Sequence, residues 1–236
     1  MKPVAIIRHS LTEGPGHFAT FLERHSQPWE LIRIDAGDPV PVRPDRFSGL
    51  ALMGGPMSVN DDLPWIPPVL DLIRWMMASN RPVIGHCLGG QLMSKALGGV
   101  VTQNPVKEIG WLAVSVVDSP MAQQWFGDTT DFESFHWHGE TFSIPEGATR
   151  LLASQACKNQ AFALGKHLGM QCHVEMTAQM IREWCLSGAG EIEACGSLPT
   201  VQQAEQMETR LEARLGALNA AAERVYAQWI KGLVQD

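Results

Sequence analysis

The sequence has no long apolar run, no paired cysteines and no excess of basic charge, and each absence removes a class of function. No segment approaches the roughly 20 apolar residues that a membrane span needs. The apolar stretch at residues 4–7 is too short for a signal peptide, so export by that route is not expected. The five cysteines, Cys87, Cys157, Cys172, Cys185 and Cys195, are odd in number, widely spaced and free of any C-x-x-C pair. That spacing argues against a disulfide framework or a zinc knuckle and predicts a reducing, cytoplasmic location. A formal charge of −7, with lysines and arginines scattered, argues against nucleic acid or an anionic membrane as partner. Internal repeats and low-complexity segments are also missing.

What is present is apolar mass, 45% of 236 residues, enough for a core without staples. The expectation is a single domain over 1–236, with a core of about 1–187 and a helical extension of about 197–235. Apolar runs at 4–8, 29–34, 50–53 and 83–86 alternate with helical patterns at about 18–25, 67–78 and 88–97. Such β/α alternation predicts a three-layer, doubly wound, mostly parallel, flavodoxin-like sheet with helices on both faces. Beyond residue 100 the β-type runs shorten and turn signals become dense (111–117, 132–137, 149–153, 161–164, 167–174), which predicts an antiparallel extension of that sheet. A helix over about 177–186, with Thr177 as N-cap, follows.

The C-terminal stretch of about 200–234 is helical throughout, with an apolar stripe through Ala204, Met207, Leu211, Leu215, Leu218, Ala222, Val225 and Trp229. One unbroken helix of that length would be roughly 50 Å long, so a break near Gly216 is expected. The stripe is read as packing on the parent domain, with a homodimer contact as the alternative.

The chemistry centres on residues 82–92, Pro-Val-Ile-Gly-His-Cys-Leu-Gly-Gly-Gln-Leu. A buried strand passing without a loop into a helix forces its corner residue, Cys87, into a strained turn that exposes the side chain. Gly85, Gly89 and Gly90 leave room for that turn. This is the nucleophile-elbow pattern with sulfur in place of a hydroxyl, and the helix N-terminus behind it favours thiolate. The bland alternative is a small buried thiol.

A base is supplied 86 residues later by Gly-Met-Gln-Cys-His-Val-Glu-Met at 169–176. On extended backbone, residues i and i+2 share a side, so Glu175 can hold His173 in one tautomer. If that strand runs parallel to the central ones, His173 reaches the sheet edge that carries Cys87. Gly54-Gly55-Pro56, after the third strand, reaches the same edge and lacks the Lys-Ser/Thr of a P-loop. The sharper reading is that the Gly55 N–H donates to developing negative charge. His136-x-His138 puts two imidazoles on one strand face, but no carboxylate or cysteine at diagnostic spacing completes a metal set. No metal or cofactor is expected.

G-x-C-x-G-x-Q at 85–91, Gly54-Gly55-Pro56 and His173-x-Glu175 together resemble the class I, triad-type glutamine amidotransferases. Lys107-Glu108-Ile109-Gly110-Trp111, the segment 136–142 and Asn159-Gln160-Ala161-Phe162 are similar to a stand-alone branch related to the amidotransferase domain of GMP synthase. His86, Gly90 and Glu140 depart from the family's usual residues. The resemblance implies a γ-glutamyl amide substrate such as glutamine, with catalytic Cys87, His173 and Glu175 and an oxyanion hole from Gly55 and Leu88. It further implies substrate contacts from Gly54, Gln91 and His138. Two roles follow from it: a hydrolase acting alone, or an amidotransferase subunit active only with a partner that accepts ammonia.

Overall fold

A computed structural model describes residues 1–235 and builds them around one nine-stranded sheet. In chain order the elements are β1 (Val4–Arg8), α1 (Gly16–Arg24), β2 (Trp29–Arg33), β3 (Gly49–Leu52), α2 (Ile66–Ala78), β4 (Val83–His86) and α3 (Leu88–Ala96). There follow β5 (Val101–Val116), α4 (Pro120–Phe126), β6 (Asp131–Phe142), β7 (Thr149–Ala153), β8 (Ala161–Leu164), β9 (His167–Met170) and α5 (Ala178–Ser187). Helices α6 (Ala189–Cys195), α7 (Ala204–Glu208) and α8 (Leu211–Ile230) complete the chain.

The strand order is β2-β1-β3-β4-β9-β8-β7-β5-β6. Every pairing from β2 to β9 is parallel, and every pairing from β9 to β6 is antiparallel. β1, β3, β4 and β9 are almost wholly buried, as expected of strands covered on both faces. Alternate residues feed two cores. Val4, Ile6 and Ile84 pack under α1, α5 and α8, while Ala5, Ile7 and Val83 pack under α2 and α3.

Thr177 caps α5 as expected, its hydroxyl accepting from the Met180 N–H at 3.2 Å. Three boundaries depart from the sequence reading. β5 and β6 run to sixteen and twelve residues because they pair with each other along almost their whole length. The short helices α4 and α6 fall in stretches that the periodicity left unassigned. The C-terminal break lies at Arg210, held at φ +56°, and not at Gly216, which sits inside α8 with open space beside it. A glycine costs a helix only about 1 kcal/mol, and the buried Leu215 and Leu218 on either side hold it in place. Met207, Leu211, Leu215, Leu218, Ala222, Val225 and Trp229 are all buried within the chain. The stripe is therefore spent on the parent fold, with Ala204 half-buried at its start.

Candidate active site

Between β4 and α3 there is no loop, and Cys87 makes the turn alone at φ +50°, ψ −109°. That is an unfavourable backbone for a residue with a Cβ, costing about 1–3 kcal/mol. The surroundings hold it there. The Cys87 N–H donates to Met170 O at 2.8 Å. A Cβ on Gly85 would meet Gly89 at 2.4 Å, and one on Gly90 would meet Met170 O at 2.4 Å, so α3 can seat its first turn only on bare backbone. Cys87 lines a cavity of about 660 Å³ at the carboxyl end of the parallel strands.

β9 runs parallel to β4 and delivers His173 and Glu175 to the same edge. The strand stops at Met170, but the backbone stays tied down. The His173 N–H donates to Phe135 O, and Glu175 O accepts from the His17 N–H, both at 2.8 Å. The His173 Nδ1–H donates to Glu175 Oε1 at 2.6 Å. Nε2 is thereby left as the basic nitrogen; it makes no well-formed hydrogen bond with any described residue and faces the Cys87 sulfur. The ring is braced edge-on by Trp184, 4.8 Å between centroids.

Burial alone would drive the imidazole neutral, yet the Glu175 carboxylate and the Cys87 sulfur hold the His173 pKa well above its ordinary value. For Glu175, burial works against the charge, but His173 and His86 overcome it and set the carboxyl at about 2. His86 lies behind the His173–Glu175 pair. Its Nε2 is 3.9 Å from Glu175 Oε2 and 3.2 Å from the Tyr226 hydroxyl, and burial lowers its pKa.

Gly55 and Gln91 line the cavity with Cys87. Leu88 is the first residue of α3, whose N–H has no intrahelical partner. Gln91 reaches Cys87 through a residue that sequence reasoning passed over, Gln171. Its Nε2 donates to Gln171 Oε1 at 3.1 Å, and Gln171 Nε2 lies 3.5 Å from Cys87 Sγ. Gly54 is buried beneath the cavity, where a Cβ would strike Glu13 Oε2 at 2.0 Å and His173 Cε1 at 3.1 Å.

His138 also lines the cavity, and behind it stands a second carboxylate. Glu108, paired with His138 across β5 and β6, places Oε2 2.9 Å from His138 Nε2, while His138 Nδ1–H donates to Glu140 O at 2.9 Å. Glu108, His136 and His138 bring their ligand atoms within 4.8 Å of one another, so a carboxylate does join the two histidines. Spacing along the chain could not reveal it because the third member comes from the neighbouring strand. Glu108 already accepts from Ser154 Oγ and Gln160 Nε2, each at 2.7 Å, so protein donors occupy its oxygens. Tyr226 and Glu13 were likewise invisible in the sequence, because neither belongs to a motif.

An elbow cysteine, a histidine held by a carboxylate and a glycine turn on one edge of a doubly wound sheet match the comparison with known proteins. The family described as class-I glutamine amidotransferase matches residues 23–183, more than half of the chain, and the chain belongs to that family. It is 30% identical to the glutamine amidotransferase-like protein YfeJ of Salmonella typhimurium, over 75% of this chain and 77% of that one. Gamma-glutamyl peptidase 3 of Arabidopsis thaliana is 25% identical over 71% of this chain and 72% of its own. The glutamine-hydrolyzing GMP synthase of Vibrio vulnificus is 30% identical over 69% of this chain but only 30% of that protein's length. Among solved structures, a glutamine amido transferase from Methylobacillus flagellatus superposes with a TM-score of 0.97 at 50% identity, covering 100% of this chain and 97% of that one.

Proposed function

We propose that this protein hydrolyses γ-glutamyl amides, with glutamine the simplest case, through a thioester on Cys87. One observation carries the reading: His173 gives Nδ1–H to Glu175 at 2.6 Å, which leaves Nε2 facing the sulfur of a residue strained at φ +50°. Sulfur attacks the amide carbonyl, and the Gly55 and Leu88 N–H groups receive the oxyanion, each such donor being worth about 10²–10³ in rate. His173 protonates the departing amine as the C–N bond breaks. Water, deprotonated by the same nitrogen, then cleaves the thioester to glutamate and free thiol. Glu175 holds the tautomer and stabilises the imidazolium. Gln91 and His138 contact the glutamyl part, with Gly54 shaping the floor under Glu13 and His173. The proposed reaction uses no cofactor, and we place the protein in the cytoplasm as a single domain.

A second reading, an amidotransferase subunit that passes ammonia to a partner, draws on the GMP synthases, which match over only 30% of their length. Glutamate release by the purified protein, from glutamine and from γ-glutamyl peptides, separates the two. Turnover by the protein alone is the expected result. Activity only with a partner would favour the second reading, and no release from any compound with Cys87 intact would sink the first.

A further inference from the structure

Resting on the hydrolytic reading above, we propose that Glu13 forms a leaving-group subsite for a cationic amine. The preferred substrates are then γ-glutamyl amides of diamines or polyamines, and free glutamine is a poorer substrate. The cavity volume of about 660 Å³ falls in the range that encloses whole drug-sized ligands, far more than glutamine fills. Among the described residues its charged lining is acidic: Glu13, Asp61, Glu140 and Glu191 against Lys107.

Three of these carboxylates are already occupied. Asp61 accepts from the Ser58 N–H at 2.9 Å, Glu140 accepts from the Ser58 hydroxyl at 3.1 Å, and Glu191 takes Lys107 and the Trp137 indole. The Glu13 carboxyl accepts no hydrogen bond from any described residue, although it is enclosed enough for burial to raise its pKa to about 7. Glu13 lines the cavity, so a ligand's ammonium can reach the carboxyl and give it the charge-assisted hydrogen bond that the protein does not.

Position decides which end of the substrate Glu13 meets. His173 must face the departing nitrogen to protonate it, so the leaving group lies on the histidine's side of the sulfur. Glu13 is on that side, since its carboxyl and the His173 ring converge on the bare face of Gly54. The loop that carries it is fixed by the Trp184 indole, which donates to Thr12 O at 2.9 Å. A substituent on the leaving amine therefore runs over Glu13, and a second ammonium on that substituent meets the free carboxylate. The chemistry is unchanged. The C–N bond breaks, His173 Nε2 gives its proton to the nitrogen that leaves, and the distal ammonium keeps its own proton throughout.

The test compares two amides of equal length, γ-glutamyl-1,4-diaminobutane and γ-glutamyl-n-pentylamine, with glutamine as reference, by glutamate release at pH 8. The wild type is expected to favour the diamine over the pentylamide by about tenfold in kcat/KM, the scale of one charge-assisted hydrogen bond. Glu13→Gln should erase that ratio while changing the pentylamide rate by less than about threefold. Equal efficiency on the two amides in the wild type overturns the subsite and leaves hydrolysis standing. An equal loss on both in Glu13→Gln also overturns it, because Glu13 would then read the α-ammonium common to both. Release from no amide at all overturns the subsite and the hydrolytic reading together.

Discussion

Two buried histidine–carboxylate pairs adjoin the cavity, His173 with Glu175 beside Cys87 and His138 with Glu108, and they differ in what the second nitrogen faces. All four side chains are 1–2% exposed. In the first pair the carboxylate takes Nδ1–H and Nε2 is left for the sulfur. In the second, Nε2 faces Glu108 and Nδ1 is committed to the Glu140 carbonyl, so both nitrogens address oxygens of the protein. In the proposed mechanism the same two residue types thus make a proton shuttle in one place and a fixed wall in the other. A histidine beside an acid is informative only once the partner of its second nitrogen is known.

The largest consequence is for kcat. Glu175→Gln should lower it by about 10⁴-fold, because an amide can turn its N–H toward Nδ1 and favour the wrong tautomer. His173→Ala should cost at least as much. Glu108→Gln should act on binding: KM rises by about tenfold with kcat within about threefold, since His138 loses its brace but takes no proton from the reaction. Steady-state kinetics on glutamine separate the two pairs, and equal falls in kcat for Glu175→Gln and Glu108→Gln would erase the distinction.

The smallest effect is on stability in acid. Burial lowers the His9 pKa from 6.5 to about 4, and that of His167 to about 4. At these two sites the unfolded chain binds more protons than the folded one between pH 6.5 and 4, so their contribution to stability is lost as pH falls through that window. Glu13, raised to about 7, works in the opposite sense. For His9 the loss is at most about 3 kcal/mol. Glu175, depressed to about 2, keeps its contribution until the pH drops below about 4.5 and loses it on the way to 2. His173 has the opposite sign: its raised pKa stabilises the fold in acid, and that contribution is lost only as pH rises through the raised value. Thermal unfolding of His9→Gln should show a shallower decline from pH 6.5 to 4 than the wild type. A shallower decline in Glu175→Gln over that window would show that the His173–Glu175 pair titrates there.

Much of this arrangement was legible because it is local in sequence. The elbow needs only a strand, a cysteine and neighbouring glycines, and His173-x-Glu175 sits two residues apart on extended backbone. The parallel sheet followed from β/α alternation, and the antiparallel extension followed from dense turns. What stayed hidden depends on pairing across strands and helices. Glu108 meets His138 only through the β5–β6 register, and Tyr226 reaches His86 from a helix beyond the matched family segment. Glu13 acquires meaning only from the cavity around it. The misplaced C-terminal break shows the same limit, since Gly216 stays helical because buried neighbours outweigh its weak propensity.

Central to the proposed mechanism is that Cys87 is the group that bonds to the glutamyl carbon. Intact-protein and peptide mass spectrometry after incubation with the glutamine analogue 6-diazo-5-oxo-norleucine tests that directly. One adduct is expected, located on Cys87, absent from Cys157, Cys172, Cys185 and Cys195, and lost in Cys87→Ala. No adduct, or one on any of the other four cysteines, would contradict it.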